Sequence, residues 1–180
     1  LYPPGLQPKE DEKEEIIKEK VFINKKVSCL KDLVDMCDEY PQADNIEYNI
    51  NMESIRKIRP HLEELHELVG MHTLKENMVD QILYYVQDFH KMNASQSCPN
   101  DYMHTVIYGP PGTGKTEVAK IMGKIFANLG VLKSGVFKKV TRDDLIAGYL
   151  GQTATKTKDV LKSCKGGVLF IDEAYALGNS

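Results

Sequence analysis

Lys115 and Thr116 close the run Gly109-Pro110-Pro111-Gly112-Thr113-Gly114-Lys115-Thr116, and Asp172 and Glu173 stand side by side farther along the chain. A lysine and a threonine at the end of a glycine-rich turn are the residue types that hold phosphate together with a magnesium ion. The glycines let the chain turn tightly, so that successive backbone N–H groups point at one anion, and a helix opening near Glu117 would add its positive N-terminal end. The expected occupant is ATP or a related triphosphate. Lys115 is expected to reach the β and γ phosphates, and the Thr116 hydroxyl to hold the Mg²⁺ that bridges them. Asp172 would hold the same ion through water, while Glu173 would orient and deprotonate the attacking water. The competing reading is that these two acids merely begin a surface turn. A second acid favours hydrolysis over transfer to a small-molecule acceptor, which needs no base for water.

These groups act together only if the fold brings them together. Thr105-Val106-Ile107-Tyr108 predicts a strand entering the loop, and Val118, Ile121, Met122, Ile125 and Phe126 predict the helix leaving it, stopped near Gly130. Val168-Leu169-Phe170-Ile171 is a continuous apolar run, expected as a strand buried on both faces. Asp172 and Glu173 then sit at its carboxyl end, where ligands of open α/β sheets bind. Between the two motifs, residues 136–140 alternate as a strand does. Thr141 to Leu145 reads as a helical turn, with the Thr141 hydroxyl capping the amide of Asp144. Thr153 to Lys165 reads as a helix with Val160 and Leu161 inward. Alternating strands and helices predict a parallel α/β sheet.

Upstream, residues 1–20 carry a mixed charge run expected as a solvated helix or a disordered leader. A short strand is expected at Val21-Phe22-Ile23, then an amphipathic helix presenting Leu30, Leu33, Val34 and Cys37 and ending before Pro41. Pro41 to Asn51 reads as a linker. A helix from Met52 presents Ile55, Ile58, Leu62, Leu65 and Val69; Pro60 should end it early or kink it, and Gly70 stops it. Leu74, Met78, Ile82, Leu83, Val86 and Phe89 predict a further helix of about five turns. Asn93 to Asn100 is expected as a loop.

At 180 residues, 42% hydrophobic and 27% charged, the chain has the composition of a soluble globular protein with one main domain. A formal charge of −3 and a pI near 6.0 supply no basic field for nucleic acid or an anionic membrane. There is no apolar run near the ~20 residues that span a bilayer and no secretory pattern at the start, so an intracellular, cytoplasmic protein is expected. Cys29, Cys37, Cys98 and Cys164 form no CxxC pair and are expected as free thiols. His61 and His66 are five apart, off a shared helical face, and are expected at the surface.

The phosphate loop with Phe170-Ile171-Asp172-Glu173-Ala174 resembles the AAA+ ATPases. Residues 140–154, with Gly148-Tyr149-Leu150-Gly151-Gln152-Thr153-Ala154, and residues 166–175 are similar to the CbbX and SpoVK (CfxQ) group. That group includes red-type Rubisco activases, sporulation ATPases and relatives encoded by large DNA viruses. The resemblance covers roughly residues 65–179. It implies a P-loop NTPase (AAA+) parallel sheet sandwiched by helices, incomplete at the C-terminus; residues 1–50, which the resemblance does not reach, are expected from their own pattern as a charged, mostly helical N-terminal extension, partly helical or disordered. Linker helices at 52–92 and a nucleotide-binding core at 103–180 complete the expected organisation. The resemblance further implies that the linker Val69-Gly70-Met71 lines the adenine pocket, with Val69 and Gly70 binding the nucleotide beside the run Gly109 to Glu117 that includes Pro110, Pro111 and Thr113. Gly70 could instead be an ordinary helix stop. Tyr149, Leu150 and Gly151 match a pore loop that grips a polypeptide in the channel of a hexamer, although Tyr149 could be a packed loop tyrosine.

The resemblance also implies features that lie beyond Ser180: a sensor residue, an arginine finger and a helical lid. In the family's strand order a further strand lies between the one entering Gly109 and the one ending at Asp172, so the two halves of the site should face each other across a gap. An arginine finger supplies on the order of 10³ to 10⁵ in rate. The chain is therefore expected to be the N-terminal part of an AAA+ ATPase, weak or inactive alone, that assembles with its own copies and remodels a protein client. A nucleotide-dependent assembly switch and a DNA-directed motor are the alternatives.

Overall fold

The computed structural model describes residues 19–89, 104–149 and 151–178. Asn93 to Asn100, Cys98, Leu150 and most of the charged leader lie outside them. A short parallel ladder opens the described chain. Strand β1 (Glu19–Val21) pairs with β2 (Ile46–Tyr48), and α1 (Leu30–Glu39) crosses between them. The expected strand at residues 21–23 thus lies two residues earlier. At Ile23 the Asn49 side chain takes over from the ladder, accepting from the Ile23 N–H at 2.8 Å and donating to its carbonyl at 3.4 Å. The expected linker, residues 41–51, contains β2.

Helix α2 (Met52–Glu67) begins at Asn51, whose side chain accepts the Ser54 amide at 3.0 Å. It runs through Pro60, so of the two expected effects of that proline the early end does not occur. Ile55, Ile58, Leu62 and Leu65 are fully buried on both sides of that proline, and this burial outweighs the lost backbone hydrogen bond. Helix α3 (His72–Val86) is about a turn shorter than expected. Asp88 adopts a left-handed conformation with φ 59°, so Phe89 lies past the helix, where it packs on Tyr84. One hydrophobic cluster joins Leu30, Leu33 and Met36 of α1 to α2 and α3, and to Val118, Ile121 and Ile125 of α4 (Lys115–Asn128).

The second half alternates as expected. Strands β3 (Phe137–Val140) and β4 (Val168–Ile171) pair in parallel, with α5 (Arg142–Leu145) and α6 (Thr153–Ser163) between them and a 3-10 turn at Ala174–Leu177 after them. Phe137 and Phe170 stack on one face of this pair. Helix α4 covers the same face so closely that a Cβ on Gly123 would lie 3.1 Å from Val168 Cγ2. On the opposite face, Lys138 Nζ donates to Ser163 Oγ of α6 at 2.7 Å.

Three local expectations are corrected. Residues 105–108 form no ladder among the described residues, and Tyr108 is 89% exposed; a strand exists only where another lies beside it. For the same reason β4 is half-buried and not fully enclosed, since its only described neighbour is β3. Leu161 is exposed, and α6 buries no residue. Polar contacts hold α6 instead: Thr157 Oγ1 donates to the Leu145 carbonyl at 2.9 Å, and Lys156 Nζ donates to the carbonyls of Asp143 and Ile146.

Candidate functional site

The loop at residues 109–114 is built on two backbone positions that favour glycine. Gly112 has φ 77° and Gly114 φ 81°, a region that costs a side-chain-bearing residue roughly 1–2 kcal/mol. Thr113 Oγ1 donates to the Pro110 carbonyl at 2.9 Å and staples the turn. Lys115 Nζ donates to the carbonyls of Gly109 and Pro110, at 2.9 and 2.7 Å, so the ammonium lies over the loop. Lys115 and Thr116 are half-buried, and Glu117 is exposed and pairs with Lys120. The loop opens a helix of 14 residues, whose first N–H groups have no partner within the helix. Its inner face, Val118, Ile121 and Ile125, is locked against α2.

The acidic pair stands at the carboxyl end of β4. The Asp172 amide donates to the Val140 carbonyl at 2.8 Å, which extends the β3–β4 pairing to the first acid. Asp172 pairs with Lys139 of β3 at 2.7 Å. That ammonium, the Glu173 amide and the charge of Lys115 together hold the Asp172 carboxyl below the ordinary aspartate range. The loop and the strand end are linked through α4, which the loop opens and which packs on the β4 face that carries Val168. Glu173 is exposed and left-handed, φ 51°, with its amide donating to Asp172 Oδ1 at 3.1 Å.

The linker between α2 and α3 has an unusual backbone. Gly70 and Met71 are both left-handed, at φ 81° and 57°, and a Cβ on Gly114 would lie 3.8 Å from Met71 Cε. Met71 therefore reaches the phosphate loop. Val69 is 96% exposed. Lys75 Nζ anchors the turn by donating to the carbonyls of His66 and Leu68, at 3.0 and 2.5 Å. Tyr149 is 77% exposed, and Gly151 is left-handed at φ 85°.

Thr116 and Asp172 offer one hydroxyl and one carboxylate, and no group of three or more potential metal ligands occurs among the described residues. So sparse a set of oxygens fits Mg²⁺, which keeps several waters and takes the rest of its ligands from phosphates. The free N-terminal amides of α4 fit a polyphosphate. Sequence reasoning missed Lys139, and it named Met71 only as part of the linker with Val69 and Gly70, not for its backbone. Lys139 is one of several lysines and only strand register singles it out, while nothing in a methionine's type announces a left-handed backbone.

Beyond geometry, residues 105–180 match the family model of the ATPase family associated with various cellular activities (AAA). The chain is 37% identical over 132 residues to a putative cfxQ-like protein of Acanthamoeba polyphaga mimivirus, covering 73% of this chain and 31% of the relative. It is 40% identical over 136 residues to a chloroplastic ribulose bisphosphate carboxylase/oxygenase activase of Cyanidioschyzon merolae, covering 76% and 46%. It is 38% identical over 115 residues to stage V sporulation protein K of Bacillus subtilis, covering 64% and 36%. The chain thus spans less than half the length of these relatives. Among its described residues no helix is long and apolar enough to cross a membrane. With parallel strands flanked by helices and a glycine-rich loop opening α4, residues 105–180 match the AAA ATPase family, and most of the chain is similar to the CfxQ, CbbX and SpoVK-like proteins.

Proposed function

We propose that this chain forms the N-terminal part of an AAA+ ATPase domain that binds ATP with Mg²⁺ and, in a longer polypeptide, hydrolyses it to remodel a protein client. The observation that carries the reading is the packing that joins two motifs far apart in sequence: α4, which the glycine loop opens, lies on the face of β4 that ends in Asp172, where a Cβ on Gly123 would be 3.1 Å from Val168 Cγ2. The amides of residues 112–116 and the Lys115 ammonium would hold the phosphates, with Val69 and Gly70 beside the adenine. Thr116 and Asp172 would hold the metal ion, which when bound neutralises phosphate charge and orients the terminal group. Glu173 would accept the proton of the attacking water. Its exposure leaves the carboxylate open to solvent on that side.

In this reading residues 51–180 are the ATPase part and residues 1–50 a charged N-terminal extension, of which α1 packs on the ATPase part. Copies of the chain assemble, as a hexamer, and the exposed Tyr149, with Leu150 and Gly151, lines the central pore. The activase name of one relative supports a protein client. We place the protein in the cytoplasm, without membrane or nucleic-acid partners, on its composition. The test is Glu173→Gln in the longer protein. Turnover should fall at least about a hundredfold, as loss of a general base implies, while ATP binding persists. Unchanged turnover would remove the role of Glu173.

A further inference from the structure

The two lysines of β3 point opposite ways because successive strand residues face opposite sides of a sheet. Lys138 turns toward α6 and bonds Ser163. Lys139 shares the α4 face with Phe137, and the register that pairs Lys139 with Phe170 and Val140 with Ile171 sets Asp172 one step beyond, on that same face. The ammonium therefore meets the carboxylate at 2.7 Å as a consequence of strand pairing.

We propose that Lys139 is a positioning residue of the metal site, a built-in counter-cation that occupies Asp172 and must yield when a divalent ion binds beside the nucleotide. This rests on the reading of Asp172 given above. A metal ion and the ammonium compete for the same oxygens, and their like charges repel. Lys139 thereby raises the metal concentration that the site demands. It also holds the carboxylate turned toward the α4 face while no ion is bound. The side chains of Lys139 and Asp172 are 48% and 29% exposed, so the competition is screened by solvent. A pair of this exposure shifts an equilibrium by about 1.5- to 5-fold.

The experiment measures Mn²⁺ binding by electron paramagnetic resonance on the 180-residue chain with saturating ADP, and ADP binding by calorimetry in EDTA. Lys139→Met should bind Mn²⁺ about 1.5- to 5-fold more tightly, with metal-free ADP affinity within about twofold of the parent chain. Lys139→Arg should restore the parent Mn²⁺ affinity, and Lys138→Met, on the opposite face, should leave it unchanged. If Lys139→Met folds poorly, as judged by circular dichroism, Lys139→Gln replaces it with the same expectation. Mn²⁺ affinity that is unchanged or weaker without the ammonium overturns the inference while the nucleotide reading stands. Weaker metal-free ADP binding without tighter Mn²⁺ binding also overturns it, since the lysine would then serve the phosphates. Absence of ADP binding by the parent chain, with and without Mn²⁺, overturns the nucleotide reading itself and this inference with it.

Discussion

Replacing Pro60 by alanine should make the protein more stable. Pro60 lies inside α2, is exposed, and sits between the fully buried Ile58 and Leu62. Its ring supplies no core packing, so its removal leaves no cavity. An alanine would restore the amide that Arg56 O lacks, and proline in a helix interior is worse than alanine by about 3 kcal/mol. Proline also stiffens the unfolded chain, which returns about 0.4–1 kcal/mol to the native protein. The difference is about 2 kcal/mol in favour of Pro60→Ala. At this chain length each kcal/mol moves the midpoint by roughly 2–4 °C, so thermal unfolding followed at 222 nm should shift upward by about 4–8 °C. Arg59→Ala on the same helix is a poor control, because Arg59 holds Asp38 of α1 at 2.7 Å and Glu63 at 3.0 Å. Lys57→Ala, which removes one exposed ion pair with Glu53, is a better one and should move the midpoint by less than about 2 °C. A midpoint that stays or falls in Pro60→Ala would refute the claim that packing, and not a local distortion suited to proline, carries α2 through this position.

Two further outcomes follow from backbone and charge. Gly114→Ala should lower stability by about 1 kcal/mol, since its φ of 81° penalises a Cβ although only Met71 Cε lies nearby, at 3.8 Å; Gly135→Ala, with open space and no positive φ, should be neutral or stabilising by up to about 1 kcal/mol. Chemical denaturation of both variants checks this contrast. Asp144 accepts the Thr141 N–H and O–H, which hold its carboxyl below the ordinary 3.8. A depressed folded value means stability that is present above the ordinary carboxylate range and lost as pH falls through the folded value. Asp144→Ala should therefore flatten the acid limb of the stability curve below pH 3.8, and a carboxyl titration by NMR that finds Asp144 unshifted would remove the effect.

The chemistry was legible because its signals are local. A glycine loop between an apolar run and a helical face, and two acids after a β run, are readable from composition and period alone. Helices α1 and α4 were legible for the same reason, since their buried residues recur every three or four positions. What escaped reading depends on partners distant in sequence. Residues 105–108 have the strand-like composition but no neighbour among the described residues, whereas residues 46–48 pair in a stretch that reads as a linker. The contact between Lys139 and Asp172 depends on register, which no period reveals. The cap at Thr141 was placed correctly, but the sequence reading saw only half of a reciprocal capping box in which the Asp144 carboxylate also serves Thr141. The Asp144 carboxylate accepts from Thr141, while the Asp144 amide also reaches the Thr141 carbonyl at 3.2 Å.

Helix α2 touches α1 on one side and α4 on the other, and all three share one hydrophobic cluster. Helix α1 and the helix that the loop at residues 109–116 opens are thus joined through one packed interior. By linkage, anything that grips α1 and stiffens this cluster changes the affinity of the loop by some factor, and a ligand on the loop changes the grip on α1 by the same factor. Whatever coupling links the chain's beginning to its phosphate loop would pass through this packed interior, equally in both directions.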